Sequence, residues 1–299
     1  MSYTFEEIMG YHPDNAIVYE EIKKSIYQLV PFIGAGLTCF AYGTWAKSLE
    51  ALANKITDAN RFQVEALIRE GAYFDAAQLL EDLRGASNLA RDIAHLFSDE
   101  RIKDKIETLD KEAISLLPAL FRNLVITTNF DQTLEYVYQN KKNPFKAVIL
   151  PEQPELLSQA LRGTGTAMLF KIHGSVNGDY VDYSRIIFTR RQYEKNYGGS
   201  SPLKKALKKS LHNKAMLFLG CSLRQDTTLR FLQEITEPGE YHYAIVSCTR
   251  EERDSRIREI NPIRAILYEE NRHEAVQIIL KKMLEDIRRE SVLQIVKKN

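Results

Sequence analysis

The stretch Leu29-Val30-Pro31-Phe32-Ile33-Gly34-Ala35-Gly36-Leu37-Thr38 joins a short apolar run to a loop that contains two glycines. The continuous apolar run Leu29–Ile33 predicts a strand that is covered on both faces. Glycine lets the backbone approach a phosphate closely and offer its N–H groups, which is the chemistry of a nucleotide site at the end of a strand. A plain turn between a strand and a helix is, however, the simpler explanation of Gly34-Ala35-Gly36 taken alone.

Six further apolar runs predict strands, and helical patterns lie between them. This alternation predicts a doubly wound α/β fold with a mostly parallel, Rossmann-like sheet. The other predicted strands are Leu124–Thr128, Ala147–Leu150, Met168–Ile172, Met216–Leu219, Tyr243–Ser247 and Ala265–Tyr268. The predicted helices include Trp45–Ile56, Asp131–Gln139, Pro154–Arg162 and Thr227–Ile235.

Two segments interrupt this alternation. Asp58–Phe121 has helical apolar spacing and no strand pattern, which predicts an all-helical insertion between the first two strands. The second segment is Gly174–Pro202, in which Ile186-Ile187-Phe188 predicts a short extra strand. Near the end of the chain, His273–Val296 predicts a long helix. We therefore expect one domain over residues 1–299, with the helical insertion 58–121 and the C-terminal helix 273–296.

Composition limits the classes of partner. Lys and Arg number 41 and Asp and Glu number 40, so the net charge gives no field that would attract nucleic acid or an anionic membrane. The three cysteines, Cys39, Cys221 and Cys248, form no Cys-x-x-Cys pair, so we expect no zinc module and no bound metal. The sequence has no apolar run long enough for a bilayer and no signal-peptide core, which favours a cytoplasmic location.

The first glycine loop does not complete the fingerprint of a dehydrogenase. The third glycine of that motif is absent, and Cys39 stands in the loop. Asp58, about twenty residues on, lies in helical sequence instead of at a strand end, where it would bind a ribose. A hydride-transferring enzyme is therefore disfavoured.

Polar residues follow three other predicted strands, in Thr127-Thr128-Asn129-Phe130-Asp131, Lys171-Ile172-His173-Gly174-Ser175 and Gly220-Cys221-Ser222. The carboxyl ends of parallel strands meet at one edge of a sheet, so we expect these residues to lie near the first glycine loop. Each has a simpler explanation by itself. Asp131 is suited to cap the next helix, His173 to a structural hydrogen bond, and Cys221 to packing as a small residue.

Taken together and in this order, the four motifs resemble those of sirtuin-like domains. The nearest resemblance is to bacterial sirtuin-like NAD hydrolases of antiphage systems, of the Thoeris-effector type, and it extends over Ile33–Val246. Deacylating sirtuins carry a Gly-Ile-Pro-Asp-Phe-Arg segment where this chain has Tyr42-Gly43-Thr44-Trp45-Ala46. They also carry four zinc-binding cysteines where Gly174–Pro202 has none. Both departures favour the hydrolase branch.

The resemblance implies that NAD is the substrate and is cleaved to nicotinamide and ADP-ribose by an NAD-depleting effector of antiphage defence. It implies that His173 accepts a proton or hydrogen bond, that Asn129 holds the ribose and a water, and that Asp131 orients them. The implied NAD-binding residues are Gly34, Ala35, Gly36, Leu37 and Thr38 around the pyrophosphate, Thr44 and Trp45 beside nicotinamide, Thr128, and Gly220, Cys221 and Ser222 towards the adenosine.

Other functions stay open at this point. The same site would suit an NAD-dependent protein deacylase or a non-enzymatic sensor of NAD or ADP-ribose, and the fold could also serve only as a scaffold. Trp45 could belong to the hydrophobic core instead of the site. The resemblance also leads us to expect a homo-oligomer, with a regulatory sensor domain or partner protein.

Overall fold

Seven strands form one parallel sheet in the computed structural model, which describes residues 3–162, 166–177, 181–223 and 241–298. The strands are β1 (Val30–Ile33), β2 (Leu124–Thr127), β3 (Ala147–Ile149), β4 (Met168–Lys171), β5 (Met216–Leu219), β6 (His242–Cys248) and β7 (Ile263–Glu269). Their order across the sheet is β3-β4-β2-β1-β5-β6-β7, and each neighbouring pair is parallel. The predicted doubly wound α/β fold is confirmed, with every described strand parallel.

The sheet is covered on both faces because successive strand residues belong to two different hydrophobic clusters. Phe32 of β1 and Phe218 of β5 belong to one cluster, and their rings lie 5.1 Å apart. The next residues along the same strands, Ile33 and Leu219, belong to the other cluster. Strands buried on both faces have continuous apolar sequences, which is why the runs were recognisable.

Helices pack against both clusters. In the part of the chain that the structure describes, the α-helices are α1 (Phe5–Met9), α2 (Asn15–Ser25), α3 (Cys39–Tyr42), α4 (Trp45–Ala53), α5 (Asp58–Arg69), α6 (Tyr73–Arg84), α7 (Ala86–Leu96), α8 (Glu100–Lys103), α9 (Leu117–Leu120), α10 (Thr133–Asn140), α11 (Leu157–Ala160), α12 (Arg190–Tyr197), α13 (Pro202–Leu211), α14 (Arg253–Glu259) and α15 (Glu274–Lys298). Short 3₁₀ turns occur at Ala35–Leu37, Ile106–Lys111, Ala113–Leu116, Pro154–Leu156 and Tyr183–Arg185. None of the helices in the described ranges is long and apolar enough to cross a membrane.

The segment between β1 and β2 is helical from α5 to α9 and contains no described strand, as expected for 58–121. The carboxylate of Asp92 ties this segment together because it is buried and binds Lys55 at 2.8 Å and Arg84 at 2.7 Å. These three residues link α7 to α6 and to the turn after α4. The treatment of the whole chain as one domain stays a prediction.

The structure differs from two local predictions, and a third lies outside the described residues. The extra strand predicted at Ile186–Phe188 is wrong, because this segment follows a 3₁₀ turn and is not assigned as a strand. The helix over Pro154–Arg162 begins as a 3₁₀ turn, and its α-helical part is Leu157–Ala160. The predicted helix Thr227–Ile235 lies outside the described residues.

The strand order places a topological switch point between β1 and β5. From β1 the chain builds the sheet towards β2, β4 and β3, whereas β5 begins the half that contains β6 and β7. In open α/β sheets, ligands bind outside the carboxyl ends of the strands at such a point. We therefore expect a ligand site at the loops that follow β1 and β5.

Candidate functional site

The two glycine loops at the switch point pack directly against each other. The N–H of Gly34 donates to Leu219 O at 2.9 Å, and the N–H of Gly36 donates to Gly220 O at 2.9 Å. A Cβ atom added to Gly34 would lie 2.5 Å from Gly220 O, and Gly220 itself has φ +69°. Glycine is thus required here by close packing and by a left-handed backbone.

The same contacts decide which loop amides are available to a ligand. Leu37 and Thr38 donate their N–H groups to Gly34 O and Ala35 O, at 3.2 and 3.1 Å. The N–H of Ala35 has no acceptor among the described residues, and Ala35 is partly exposed. Among the residues predicted to surround the pyrophosphate, Gly34, Gly36, Leu37 and Thr38 thus use their N–H groups within the described structure, and Ala35 does not.

Asn129 is buried and joins the loop after β2 to the first glycine loop. Its Nδ2 donates to Gly34 O at 3.3 Å and to Thr38 Oγ1 at 3.1 Å. Gly34 O can only accept a hydrogen bond, so the nitrogen of the amide must face it. Both amide hydrogens are then in use, and the side-chain oxygen Oδ1 faces the other way as an acceptor.

Asp131 completes this buried cluster. Its Oδ2 accepts a hydrogen bond from the Thr38 hydroxyl at 3.2 Å, and its Oδ1 accepts one from the N–H of Thr133 at 2.9 Å. Asp131 is not the N-cap that was predicted, because Gln132 occupies that position; Asp131 stands one residue earlier and binds the N–H of Thr133, the first residue of α10. Asp131 thus contacts both the start of α10 and, through Thr38, the first glycine loop.

The register of β2 and β4 brings Asn129 and His173 to neighbouring positions. Thr127 is paired with Lys171, and each candidate residue stands two positions beyond one member of that pair. Thr128, between Thr127 and Asn129, donates its N–H to Ile33 O at 3.4 Å. Asn129 and His173 therefore leave the same edge of the sheet from adjacent strands.

Aromatic rings surround His173. The centroid of its imidazole lies 6.2 Å from Phe74, 6.5 Å from Phe130 and 6.0 Å from Tyr197. Burial lowers the pKa of His173 to about 4, because charging the ring in this apolar shell is unfavourable. The side chain nevertheless stays partly exposed, so a neutral imidazole at the sheet edge is accessible from outside.

Lys171 was not among the predicted site residues. It is fully buried at the end of β4, and its Nζ donates to Phe130 O at 3.2 Å, to Asp131 O at 2.6 Å and to Glu135 Oε1 at 2.9 Å. A lysine inside an otherwise apolar strand was the available signal, since lysine is almost never fully buried unless it is paired.

Thr44 and Trp45 take different positions near the site. Thr44 is exposed and caps α4, where its hydroxyl accepts a hydrogen bond from the N–H of Lys47 at 3.3 Å. The ring of Trp45 is partly buried, 4.8 Å from Phe188 and 6.1 Å from Phe130. Trp45 therefore packs against the hydrophobic core, in an aromatic cluster with Phe130, which is a neighbour of His173.

The loop after β5 is supported from α14. Cys221 is partly buried, with its Sγ 3.8 Å from Phe32 O and from Leu219 O. Ser222 is exposed, and its carbonyl accepts a hydrogen bond from the buried guanidinium of Arg256. The described residues contain no group of three or more metal-binding side chains.

A family model described as a SIR2-like domain matches residues 123–266, from just before β2 to the middle of β7. The match supports a sirtuin-like family. It includes Asn129, Asp131, His173 and the loop Gly220–Ser222, and it is consistent with an enzyme that uses NAD. The first glycine loop lies before the matched residues and is connected to them by the hydrogen bonds described above.

Proposed function

We propose that this protein is an NAD glycohydrolase that cleaves NAD to nicotinamide and ADP-ribose. The observation that carries the proposal is the buried cluster of Asn129, Thr38 and Asp131 at the switch point. It stands beside the partly exposed, neutral imidazole of His173. The family match to a SIR2-like domain supports NAD as the substrate.

In the proposed reaction, the bond between the ribose C1′ and the nicotinamide nitrogen breaks, and its electron pair leaves with nicotinamide. The oxygen of a water then bonds to C1′, and one proton of that water is released. His173 is neutral at pH 7, so it can accept a hydrogen bond or the proton from the ribose hydroxyls or the water. Held in place by Gly34 O and Thr38, Asn129 would direct Oδ1 towards the ribose or the water.

The rest of the proposed site follows from the loops around this cluster. The N–H of Ala35 would bind the pyrophosphate, while Gly34, Gly36 and Leu37 set the shape of that loop. Gly220, Cys221 and Ser222 would lie towards the adenosine. Thr44, Trp45 and Thr128 would border the nicotinamide end.

The test is to incubate the purified protein with NAD and to measure released nicotinamide and ADP-ribose. We expect the two products in equal amounts from the wild type, and a loss of about 100-fold in rate for Asn129→Ala and His173→Ala. NAD consumption that requires an acyl-lysine peptide would indicate a deacylase instead. NAD binding by calorimetry without turnover would indicate a sensor.

The resemblance to antiphage NAD hydrolases also leads us to propose an NAD-depleting defence effector that works as a homo-oligomer with a sensor domain or partner. Bacteria that express the protein should lose cellular NAD after phage infection, and cells that express Asn129→Ala should keep it. Light scattering of the purified protein tests the oligomer. Equal NAD levels in both strains during infection would contradict the defence role.

A further inference from the structure

Lys171 holds the loop that carries Asn129 and Asp131, and it does so from the strand that carries His173. Its ammonium group has three hydrogens, and the structure provides three acceptors, Phe130 O, Asp131 O and Glu135 Oε1. The side chain is fully buried. With its three donors in use and no exposed atom, Lys171 cannot contact a substrate, so any role in the reaction acts through the loop.

The carbonyl contacts matter most because of where they lie in the loop. Asn129 directly precedes Phe130, and Asp131 supplies both a carbonyl to Lys171 and a carboxylate to Thr38. Fixing these two carbonyls fixes the peptide planes on both sides of Asp131. Asn129 is joined to the first of these planes through Phe130 alone. Lys171 itself lies two residues before His173 in the chain.

We propose that Lys171 is a positioning residue that sets Asn129 and Asp131 relative to His173, and that NAD cleavage depends on it. That NAD cleavage depends on Lys171 rests on the proposed function, whereas the hydrogen bonds by which Lys171 holds the loop do not. A second contact joins the same two loops, since Val176 donates its N–H to Phe130 O at 3.0 Å. Loss of Lys171 should therefore loosen the loop without detaching it.

The test compares Lys171→Met with a control that removes equally many buried hydrogen bonds elsewhere. Asn15 suits this purpose, because it is fully buried and makes three hydrogen bonds, to Ile8 O, to Leu267 O and from the N–H of Leu267. Leu267 belongs to the edge strand β7, four strands from β2. Asn15→Ala should lower the melting temperature but leave the candidate site in place.

Two measurements are made on each variant, well below its melting temperature. Amide hydrogen exchange reports on the N–H groups of Asn129, Thr133 and Val176, whose hydrogen bonds belong to the clamped loops. In Lys171→Met we expect their exchange to rise at least about tenfold and kcat for NAD to fall about 10- to 100-fold. KM should change by less than about threefold. Asn15→Ala should show neither change.

Lys171→Met leaves the carboxylate of Glu135 without its cation, so the single variant could unfold. The double variant Lys171→Met/Glu135→Met removes both charged partners. Asp131 O then lacks the donor that Lys171 supplied, whereas Phe130 O keeps the N–H of Val176, so the loss is less costly. The double variant should fold and show the same local exchange and the same fall in kcat. A lysine that acted only through its charge pair with Glu135 would give a double variant close to wild type.

Each outcome decides one part of the proposal. Unchanged exchange at these three amides would overturn the clamp, whatever the activity. Faster exchange with unchanged kcat would confine Lys171 to a structural role. A wild type that releases no nicotinamide would overturn the proposed function, and the exchange data would still decide whether Lys171 holds the loop.

Discussion

At the residue scale, the Thr38 hydroxyl is the centre of the candidate site because it links two side chains from the loop after β2. It accepts a hydrogen bond from Asn129 Nδ2, and its proton has Asp131 Oδ2 as the nearer acceptor at 3.2 Å and Ala35 O as a second one at 3.4 Å. A hydroxyl is the smallest group that can do both at once. The amide and the carboxylate are thereby held in one relative orientation.

Replacement of Thr38 by Val should break this link while keeping the shape of the side chain. Asn129 Nδ2 and Asp131 Oδ2 would each lose a partner in a buried place, and we expect the free energy of unfolding to fall by about 1–3 kcal/mol. NAD cleavage should fall with it. Thr38→Ser keeps the hydroxyl and is the matched control. Urea denaturation measures the free energy of unfolding, and product release measures NAD cleavage. Equal values of both for Thr38→Val and Thr38→Ser would contradict the prediction.

The lowered pKa of His173 sets the pH dependence. Since burial lowers the pKa from 6.5 to about 4, the ring stays neutral down to about pH 5. NAD cleavage should therefore stay level from pH 8 to about pH 5 and fall as the pH approaches 4. A fall centred near pH 6.5 would show that the imidazole titrates as an exposed one.

The same shift links stability to pH. Between pH 6.5 and about pH 4 the unfolded chain binds a proton at residue 173 and the folded chain does not, so stability falls as the pH falls through this window. The contribution is at most about 3 kcal/mol, and partial exposure of the ring reduces it. Urea unfolding at pH 7 and pH 4.5 should show a larger loss for the wild type than for His173→Gln.

At the scale of elements, helix α6 of the insertion forms part of the wall around His173. Phe74 contacts the imidazole and also Tyr193 of α12, with ring centroids 6.2 and 4.8 Å apart. Next to it, Asp75 forms an ion pair with Arg190, at the start of α12. The insertion is thus attached to the segment that follows His173.

Removal of the Phe74 ring should therefore raise the pKa of His173 towards 6.5. The imidazole would gain solvent, and the cost of charging it would fall. NMR titration of His173 in Phe74→Ala checks this. Phe62→Ala is the control, because Phe62 is an exposed ring of α5 in the same insertion. An unchanged pKa in Phe74→Ala would mean that α6 is not what buries His173.

The strands were predictable because each is an apolar run of the right length, and β5 has the predicted bounds. Most of the other bounds moved by one or two residues. Contacts of high sequence separation were not predictable, since no periodicity relates Phe74 to His173 or Lys171 to Phe130. The segment Ile186–Phe188 has strand-like composition but forms no strand, and the N–H of Ile187 donates to His173 O at 2.9 Å.

At the scale of the whole molecule, the two halves of the sheet meet where Gly34 and Gly36 face Gly220. The sequence suggested that these glycines make room for a phosphate. The structure shows that their missing side chains let β1 and β5 continue into loops that touch. The candidate site and the contact between the two halves of the sheet thus depend on the same three glycines.

Gly220→Ala should be much more destabilising than an alanine at an open glycine of similar backbone. Gly220 has φ +69° and its added Cβ would lie 2.5 Å from the Leu37 nitrogen, whereas Gly71 has φ +75° and nothing within 4 Å. Backbone strain is common to both, so the difference measures the close packing, and we expect at least about 2 kcal/mol. Equal urea midpoints for Gly220→Ala and Gly71→Ala would contradict the close packing of the two glycine loops.

The central claim is that the cluster around Asn129 cleaves NAD, and one time course tests it most directly. Nicotinamide release from NAD is followed for the wild type, for Asn129→Ala and for Asn15→Ala, the buried control at the far edge of the sheet. We predict steady release by the wild type and the control, and a rate about 100-fold lower for Asn129→Ala. Release by Asn129→Ala at the wild-type rate would contradict the account.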